Sequence, residues 1–444
     1  MKNINKLLII IATISIIFTS CTDVLDVEPK MELSDQTALT TTFGLQTAII
    51  GAYDRLQSGY LYGGRIWVAG DMLAENVQKS GQSALVYEEI QMMNKNMSPD
   101  NLITSVFWSD AYATINLVNQ VIAAIPVVEE SGDVDIADSK NRIEGEALFI
   151  RALLHFDLVR YFGNPNTGEG VPLLTEPTGV DGKPARASID AVYSQVIADL
   201  KRAADLLPEA NNDRATSWAA KAILSRVYFF QKDYANAVIQ ANDVIENGGF
   251  KLADSVQQNF SSTLSDEVIF AIMSTATDAS CGTLNMYYRI KSTPRFCPSN
   301  DIISYMTYGG NTDQRLLQFF TKEADGKFYT TKFDDRYMHV PVIRLAELYL
   351  TRAEAQFNIN PSDTIVLHDI NVIRKRADLA ELSSVTSTAI YLERTKELVF
   401  EGDNFFNMKR LEKKIAGYEW NDVNLLFKIP QRERDVNPNL TQNE

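Results

Sequence analysis

Apolar residues recur at intervals of three or four positions through most of the chain, which is the spacing of one face of an α-helix. In the first half, this spacing predicts helices near residues 43–53, 106–122, 139–162 and 188–207. Pro126 is expected to end the second helix, and Gly163-Asn164-Pro165 the third. Ser188 is a suitable N-cap for the fourth. The pattern therefore predicts helices joined by short breaks.

A repeated unit is clearest at residues 216–247. Tyr228 is followed nine residues later by Ala237, which matches the spacing of a tetratricopeptide unit. A small residue at 237 would let the second helix approach the first, and Asp233 is the expected N-cap of that second helix. Residues 340–378 predict another antiparallel pair. We therefore expect an all-α, tetratricopeptide-like helical scaffold, with an ordinary helical bundle as the alternative.

Two regions interrupt the helical pattern. Residues 58–101 and 248–338 combine glycines and aromatic residues, and the second contains a short strand signal at residues 267–272. Long irregular segments inside a compact domain usually carry function. The sequence thus predicts long irregular loops with minor β structure, and these loops are where we expect a ligand to bind.

The first 21 residues have the organisation of a secretory leader. Lys2 and Lys6 precede an apolar run over residues 7–18, which is too short to span a bilayer, and a small-residue site ends at Cys21. This arrangement resembles the lipobox of bacterial lipoproteins. We expect a signal peptide over 1–20, acylation of Cys21, and a tether over 21–33. The membrane would be reached by the lipid anchor only.

The charge and the reactive residues exclude several functions. The formal net charge is −15, and removal of Lys2 and Lys6 would lower it to −17, which argues against nucleic-acid binding. Cys281 and Cys297 could form a disulfide or remain free thiols. The sequence lacks CxxC motifs, glycine-rich phosphate loops and clusters of the three histidines, so we expect no cofactor and no metal.

The chain also resembles the SusD/RagB family of nutrient-binding outer-membrane lipoproteins along essentially its whole length. The resemblance is carried by the TDVLDVEP segment after Cys21, Gly51-Ala52-Tyr53, Glu144-Gly145-Glu146-Ala147, Tyr161-Phe162-Gly163, Arg344-Leu345-Ala346-Glu347, Arg352-Ala353-Glu354-Ala355, Ile370-Asn371-Val372-Ile373-Arg374, Glu397-Leu398, Phe400-Glu401-Gly402, Ile429-Pro430 and Asn437-Pro438. It implies a SusD-like helical region with tetratricopeptide-like units over 34–250 and a RagB/SusD-like region over 251–444.

The resemblance further implies a function. Members hold a loop-rich face on a tetratricopeptide-like scaffold, act as the lid of a TonB-dependent, SusC-like outer-membrane transporter, and capture oligosaccharides or, in some cases, peptides. We therefore expect a cell-surface glycan-binding lipoprotein of the outer membrane that is not an enzyme. The alternatives are a peptide-binding relative and a helical-repeat scaffolding lipoprotein that binds only proteins.

One part of the resemblance is incomplete. The family usually has Arg and Asp where this chain has Asn404 and Asn407, and we interpret the change as the neutral replacement of a structural pair. Glu393, Glu397 and Glu401 repeat every four residues beside basic residues. This spacing favours a salt-bridged helix over catalytic carboxylates.

Sugar binding requires flat apolar faces and polar side chains that bond hydroxyl groups. Both irregular regions supply this mixture, and core packing remains the alternative for each single aromatic ring. The first region contributes the candidate residues Tyr60, Tyr62, Arg65, Trp67 and Asp71. The second contributes Tyr287, Tyr288, Arg289, Arg295, Asn300 and Asp301.

Overall fold

Helices hold most of the residues that the structure describes. The structure is a computed structural model, and it describes residues 39–128, 136–179, 181–291, 293–308 and 313–444. The expected signal peptide (1–20), Cys21 and the tether (21–33) lie outside these ranges. Inside them, no helix combines the length and the apolar character that crossing a bilayer requires.

Five of the N-terminal helices begin at side-chain caps, two of which the sequence predicted. Oγ of Ser188 accepts a hydrogen bond from the backbone N of Ala191 (3.1 Å), and Oδ1 of Asp233 accepts one from N of Asn236 (3.3 Å). The helices are α1 (Thr42–Leu56), α2 (Arg65–Leu73), α3 (Tyr87–Met93), α4 (Leu102–Ala124), α5 (Ile136–Phe162), α6 (Ile189–Leu206), α7 (Ser217–Phe230) and α8 (Tyr234–Asn247).

The C-terminal part combines short strands with further helices. The strands are β1 (Val77–Lys79), β2 (Val268–Ile272), β3 (Phe296–Pro298), β4 (Phe320–Lys322), β5 (Phe328–Thr330) and β6 (Val340–Arg344). They pair antiparallel as β1 with β3, β2 with β6 and β4 with β5. The helices are α9 (Gly282–Tyr288), α10 (Asn300–Thr307), α11 (Gln314–Phe319), α12 (Leu345–Ile359), α13 (Thr364–Arg376), α14 (Ser387–Glu397), α15 (Asp403–Arg410) and α16 (Gln431–Val436).

The predicted tetratricopeptide-like packing is present. Oγ of Ser225 on α7 donates a 2.9 Å hydrogen bond to the carbonyl oxygen of Ala237 on α8, and Ala237 is fully buried. A larger side chain at 237 would push the two helices apart. α8 also packs against α12, and α12 against α13, so successive helix pairs stack. The all-α, tetratricopeptide-like scaffold is confirmed.

The two regions that interrupt the periodicity are more ordered than predicted. Residues 58–101 contain α2 and α3, and eight of the nine residues of α2 are buried. A helix buried on nearly all sides has no polar face, so the apolar period of 3.6 that reveals surface helices is missing from its sequence. In residues 248–338, the strand predicted at 267–272 is present as β2, beside three short helices.

Contacts cross the predicted boundary at residue 250. β1 pairs with β3, and α8 packs against α12, so the two predicted regions meet at a sheet and at a helix pair. One buried apolar cluster extends from Leu45 to Leu440. The division into 34–250 and 251–444 stays a prediction.

Candidate functional site

The structure places the ten candidate ligand-binding residues in two different environments. Tyr60, Arg65, Arg289 and Arg295 are half-buried, and Asn300 is exposed. The other five are buried, with exposed fractions of 7% or less: Tyr62, Trp67, Asp71, Tyr287 and Tyr288. Asp301 is exposed as well. The buried rings cannot offer a flat face to a sugar in this structure, so an exposed platform made of all of them is not formed.

Three of the buried candidates pack into the core. The hydroxyl of Tyr62 donates a short hydrogen bond to Oδ2 of Asp157. Trp67 lies against Gly402, where an added Cβ would come within 3.0 Å of the indole Cδ1. The ring of Tyr288 lies 5.2 Å from that of Phe400, centroid to centroid. These contacts favour a structural role, because each side chain is satisfied by partners inside the protein.

Arg65 brings the two irregular regions together. Its Cζ atom lies 4.2 Å from the ring centroid of Tyr60 and 5.9 Å from that of Tyr287, and Cζ of Arg295 lies 5.7 Å from the same Tyr287 ring. Arg295 forms a salt bridge with the buried carboxylate of Glu89. We call these five residues the Arg65 cluster. They combine half-exposed guanidinium groups with a half-exposed tyrosine ring.

Two glycines allow the first loop region to pack closely against α9. Gly64 precedes α2 at φ +145°, and a Cβ there would lie 2.9 Å from Cγ of Leu284 on α9. At Gly59, a Cβ would lie 2.5 Å from Oγ1 of Thr283. Any larger residue would separate the first loop from α9, since these distances are shorter than van der Waals contact. The glycines noted in the sequence therefore serve the close contact between the regions.

Sequence reasoning missed part of the surface near this cluster. Glu89 is fully buried on α3, and its Oε2 accepts a 3.0 Å hydrogen bond from the backbone N of Val86. Beside it, Tyr87 is 70% exposed and Ile90 is 43% exposed. The i,i+3 spacing of Tyr87 and Ile90 could have indicated a shared helix face, but α3 has only seven residues.

The remaining candidates have other environments. Nε of Arg289 donates a 3.0 Å hydrogen bond to the carbonyl oxygen of Asp334. Asn300 begins α10, and its carbonyl oxygen accepts from Oγ of Ser304 at 2.8 Å. Their assignment as ligand-binding residues stays a prediction.

Glu397 and Glu401 form structural ion pairs, as the sequence predicted, with arginines from other segments of the chain. Glu397 pairs with Arg344 (2.6 Å) and Arg315 (3.2 Å), and Glu401 pairs with Arg344 (2.7 Å). Both arginines come from distant segments of the chain. α14 ends at Glu397, so Glu401 does not lie on the same helix face as Glu397. These cations outweigh burial and lower the pKa of Glu397 and Glu401, which makes both poor proton donors.

Metal binding has no obvious site in the part of the chain that the structure describes. No group of three or more His, Cys, Asp or Glu side chains there is placed to hold an ion. His155, for example, is buried, and desolvation lowers its pKa to about 3. Nε2 of neutral His155 accepts a 3.3 Å hydrogen bond from the backbone N of Leu174, so this histidine has a structural role.

Comparison with known proteins identifies relatives over almost the whole chain. A family profile described as "Starch-binding associating with outer membrane" matches residues 23–229, and one described as "SusD family" matches residues 306–424. A SusD-like protein from Bacteroides ovatus is 26% identical, and the match covers 90% of this chain and 81% of that protein.

Solved structures have the same fold. A SusD superfamily protein from Bacteroides thetaiotaomicron is 27% identical, with a TM-score of 0.81, and the match covers 91% of this chain and 100% of the other. A laminarin-binding SusD-like protein is 22% identical, with a TM-score of 0.76, over 91% of this chain and 99% of that one. The architecture described above is therefore that of these proteins.

Proposed function

The chain belongs to the SusD/RagB family, and on this premise we propose that it is a lipid-anchored outer-membrane protein that captures an oligosaccharide at the Arg65 cluster. It passes the ligand to a TonB-dependent, SusC-like transporter beside it. The family consists of binding proteins, and the proposal assigns this chain no catalytic step. The anchor is the acylated Cys21, and the protein faces the cell exterior.

One observation carries the choice of site: Arg65 lies between Tyr60 and Tyr287 and thereby joins two loop regions more than 200 residues apart. Tyr60 and Arg65 remain partly accessible at this junction. A tyrosine ring can stack on the C–H face of a pyranose, and a guanidinium group presents several N–H donors to hydroxyl groups. The same pair therefore supplies both contacts that a sugar needs.

The surroundings of the cluster support a ligand longer than one sugar. Tyr87 and Ile90 are exposed apolar residues on α3, the helix that also carries Glu89 of the cluster. The exposed ring on this helix offers a further sugar unit a face on which to stack. The relative that binds laminarin has this fold, which supports a carbohydrate as the ligand class.

Glycan binding is tested by substitution of the partly accessible ring of the Arg65 cluster. Tyr60→Ala should weaken binding to the recognised polysaccharide about tenfold, in affinity electrophoresis over a polysaccharide panel followed by calorimetry. Tyr349→Ala is the matched control, because Tyr349 is also half-buried with an arginine, Arg352, 5.6 Å from its ring centroid, but it lies on the helical scaffold. Equal affinities for both variants would exclude the Arg65 cluster as the site. Binding of a peptide pool and of no glycan would instead support the peptide-binding alternative.

Anchoring and delivery need a separate test. Mass spectrometry of the native protein should find acyl chains on Cys21, and Cys21→Ser should release the protein from the outer membrane. Protease treatment of whole cells should degrade the wild-type protein if it faces outwards. Co-purification with a TonB-dependent transporter tests the partner. An unmodified, periplasmic protein would contradict the proposed delivery.

A further inference from the structure

A cavity lies where the C-terminal end of α5 meets α6, α7 and α15. Its volume is about 220 Å³, and it shares no lining residue with the Arg65 cluster. This volume is below the usual range for drug-sized ligands and suits a single small unit. We call it the Lys409 pocket, defined by Arg160, Tyr193, Phe230, Phe406, Lys409 and Trp420 among its lining residues.

Aromatic rings form much of the wall of this pocket. Tyr193, Phe230 and Trp420 are half-buried, so part of each ring is accessible, whereas Phe406 is buried behind them. Phe406 also supports Arg160, whose Cζ lies 4.1 Å from the ring centroid. The pocket therefore offers accessible flat apolar faces, which the five buried candidates of the loop regions do not.

The lining is positively charged, in a chain whose formal net charge is −15. It contains four basic side chains and one carboxylate, Glu412, which already pairs with Lys232 at 2.6 Å. Arg160 pairs with Asp157, and Arg410 forms a salt bridge with Glu354. These pairings account for every basic residue of the lining except one.

Lys409 is the exception. It is half-buried on α15, and no carboxylate among the described residues lies within salt-bridge distance of its Nζ atom. Its Nζ atom lies 5.4 Å from the ring centroid of Phe405. Desolvation without a compensating anion lowers the pKa of Lys409 to about 8. A half-buried cation without a partner is costly, and a bound anion would remove that cost.

We propose that the Lys409 pocket is a second ligand site, which binds a sugar unit carrying a carboxylate or sulfate group. Lys409 pairs with the anionic group, and Trp420 and Tyr193 contact the sugar ring. The choice of a sugar rests on the proposed function, whereas the site itself is independent of the Arg65 cluster. Specificity arises because a neutral sugar of the same size would leave Lys409 unpaired.

Calorimetry with three monosaccharides tests the proposal. We expect galacturonic acid, galactose 6-sulfate or both to bind the wild-type protein at least tenfold more tightly than galactose. Tighter binding of galacturonic acid alone would indicate a site for a carboxylate, and tighter binding of galactose 6-sulfate alone would indicate a site for a sulfate. Lys409→Gln should abolish the preference for the acidic sugar, and Lys409→Arg should retain it. Trp420→Ala should weaken all three sugars.

Two controls separate this site from the loop site and from general charge effects. Lys375→Gln removes the same charge from an exposed position on α13 and should leave the preference unchanged. Tyr60→Ala should also leave it unchanged, even if it abolishes polysaccharide binding. If galacturonic acid binds while no polysaccharide depends on Tyr60, the loop site fails and the Lys409 pocket stands.

Three results would overturn the inference. One is equal affinity for acidic and neutral sugars in the wild-type protein. Another is an acidic preference that persists in Lys409→Gln with an unchanged melting temperature. The third is binding of acetyl-phenylalanine that depends on Lys409 while neither acidic sugar binds, which would assign the pocket to peptide carboxylates.

Discussion

The hydroxyl group of Tyr288 donates a 2.8 Å hydrogen bond to Oδ2 of Asp71, and so joins residues 217 positions apart. Nδ2 of Asn76 donates to Oδ1 of the same carboxyl group, also at 2.8 Å, and Nδ2 of Asn404 donates to Oδ1 of Asn76 at 2.7 Å. A buried chain of polar side chains thus links α2, α9 and α15. Such a chain is stabilising only while every member keeps its partners.

Asn404 and Asn407 stand where the family usually has Arg and Asp, and each has its own hydrogen-bond partner. Asn404 bonds to Asn76, whereas Oδ1 of Asn407 accepts a 2.7 Å hydrogen bond from Arg410. Both asparagines are buried and serve packing, as expected for structural residues. They do so through separate partners.

Burial raises the pKa of Asp71 to about 7, and the charge of Glu401 also raises it. The hydrogen bonds from Asn76 and Tyr288 and the charge of Lys332 lower this pKa, but they do not offset the effect of burial. The folded protein therefore holds the Asp71 proton more tightly than the unfolded chain does. Its contribution to the free energy of unfolding is greatest below about pH 4. It should fall by up to roughly 1.4 kcal/mol per pH unit as the pH rises towards 7.

Asp71→Asn removes this titration and should flatten that part of the pH dependence. Urea unfolding of both proteins between pH 4 and 8 gives the difference in unfolding free energy, wild type minus variant, which should decrease as the pH rises. Asp205→Asn is the control, since Asp205 is exposed on α6. A difference that stays constant or increases with pH would contradict the raised pKa.

The helical scaffold was predictable, whereas the roles of the loop rings were not. Ser188, Asp233 and Ala237 act through neighbours a few residues away or through a helix pair of fixed spacing, and such local patterns are visible in sequence. Tyr288 is buried because of Asp71 and Phe400, which are distant in sequence. Long-range partners leave no periodic signal, so a core tyrosine and a sugar-binding tyrosine look alike.

Glycines in α1 and α5 provide a matched pair for testing helix packing. A Cβ at Gly145 of α5 would lie 2.8 Å from Cγ of Leu207, whereas a Cβ at Gly51 of α1 would meet nothing within 4 Å. Gly51→Ala should raise the free energy of unfolding by about 0.5–1 kcal/mol, because alanine restricts the unfolded chain. Gly145→Ala should lower it by about 1–3 kcal/mol, because α6 must move away. Urea unfolding would measure both, and a stabilised Gly145→Ala would contradict the close approach.

Arg344 holds the buried ion network together. It pairs with Glu267 (2.9 Å), Glu397 (2.6 Å) and Glu401 (2.7 Å), and its side chain is 1% exposed. Arg344→Ala should lower the free energy of unfolding by about 3–5 kcal/mol, because three buried carboxylates each lose one of their cations and their charge is then only partly compensated. The control is Arg202→Ala. Arg202 pairs with Glu144 at 3.2 Å but is 54% exposed, so its loss should cost at most about 1 kcal/mol.

The two arginines differ in burial and in the number of their partners, since Arg344 is buried among three carboxylates and Arg202 is exposed beside one. Thermal and urea unfolding should rank the variants in the same order. Equal losses of stability at the two sites would show that the network around Arg344 is relaxed or hydrated in solution.

Cys281 and Cys297 are free and buried, which decides between the two possibilities that the sequence left open. Sγ of Cys281 donates a hydrogen bond to the carbonyl oxygen of Arg336 at 2.9 Å, and burial raises its pKa to about 11. Burial raises the pKa of Cys297 too, so little reactive thiolate exists at pH 8. In a Cys21→Ser chain without reductant, Ellman's reagent should react slowly with the folded protein and detect two thiols in urea. Fewer than two thiols in urea would reveal a disulfide, and rapid reaction of the folded chain would show that the segments around Arg336 or β3 open readily.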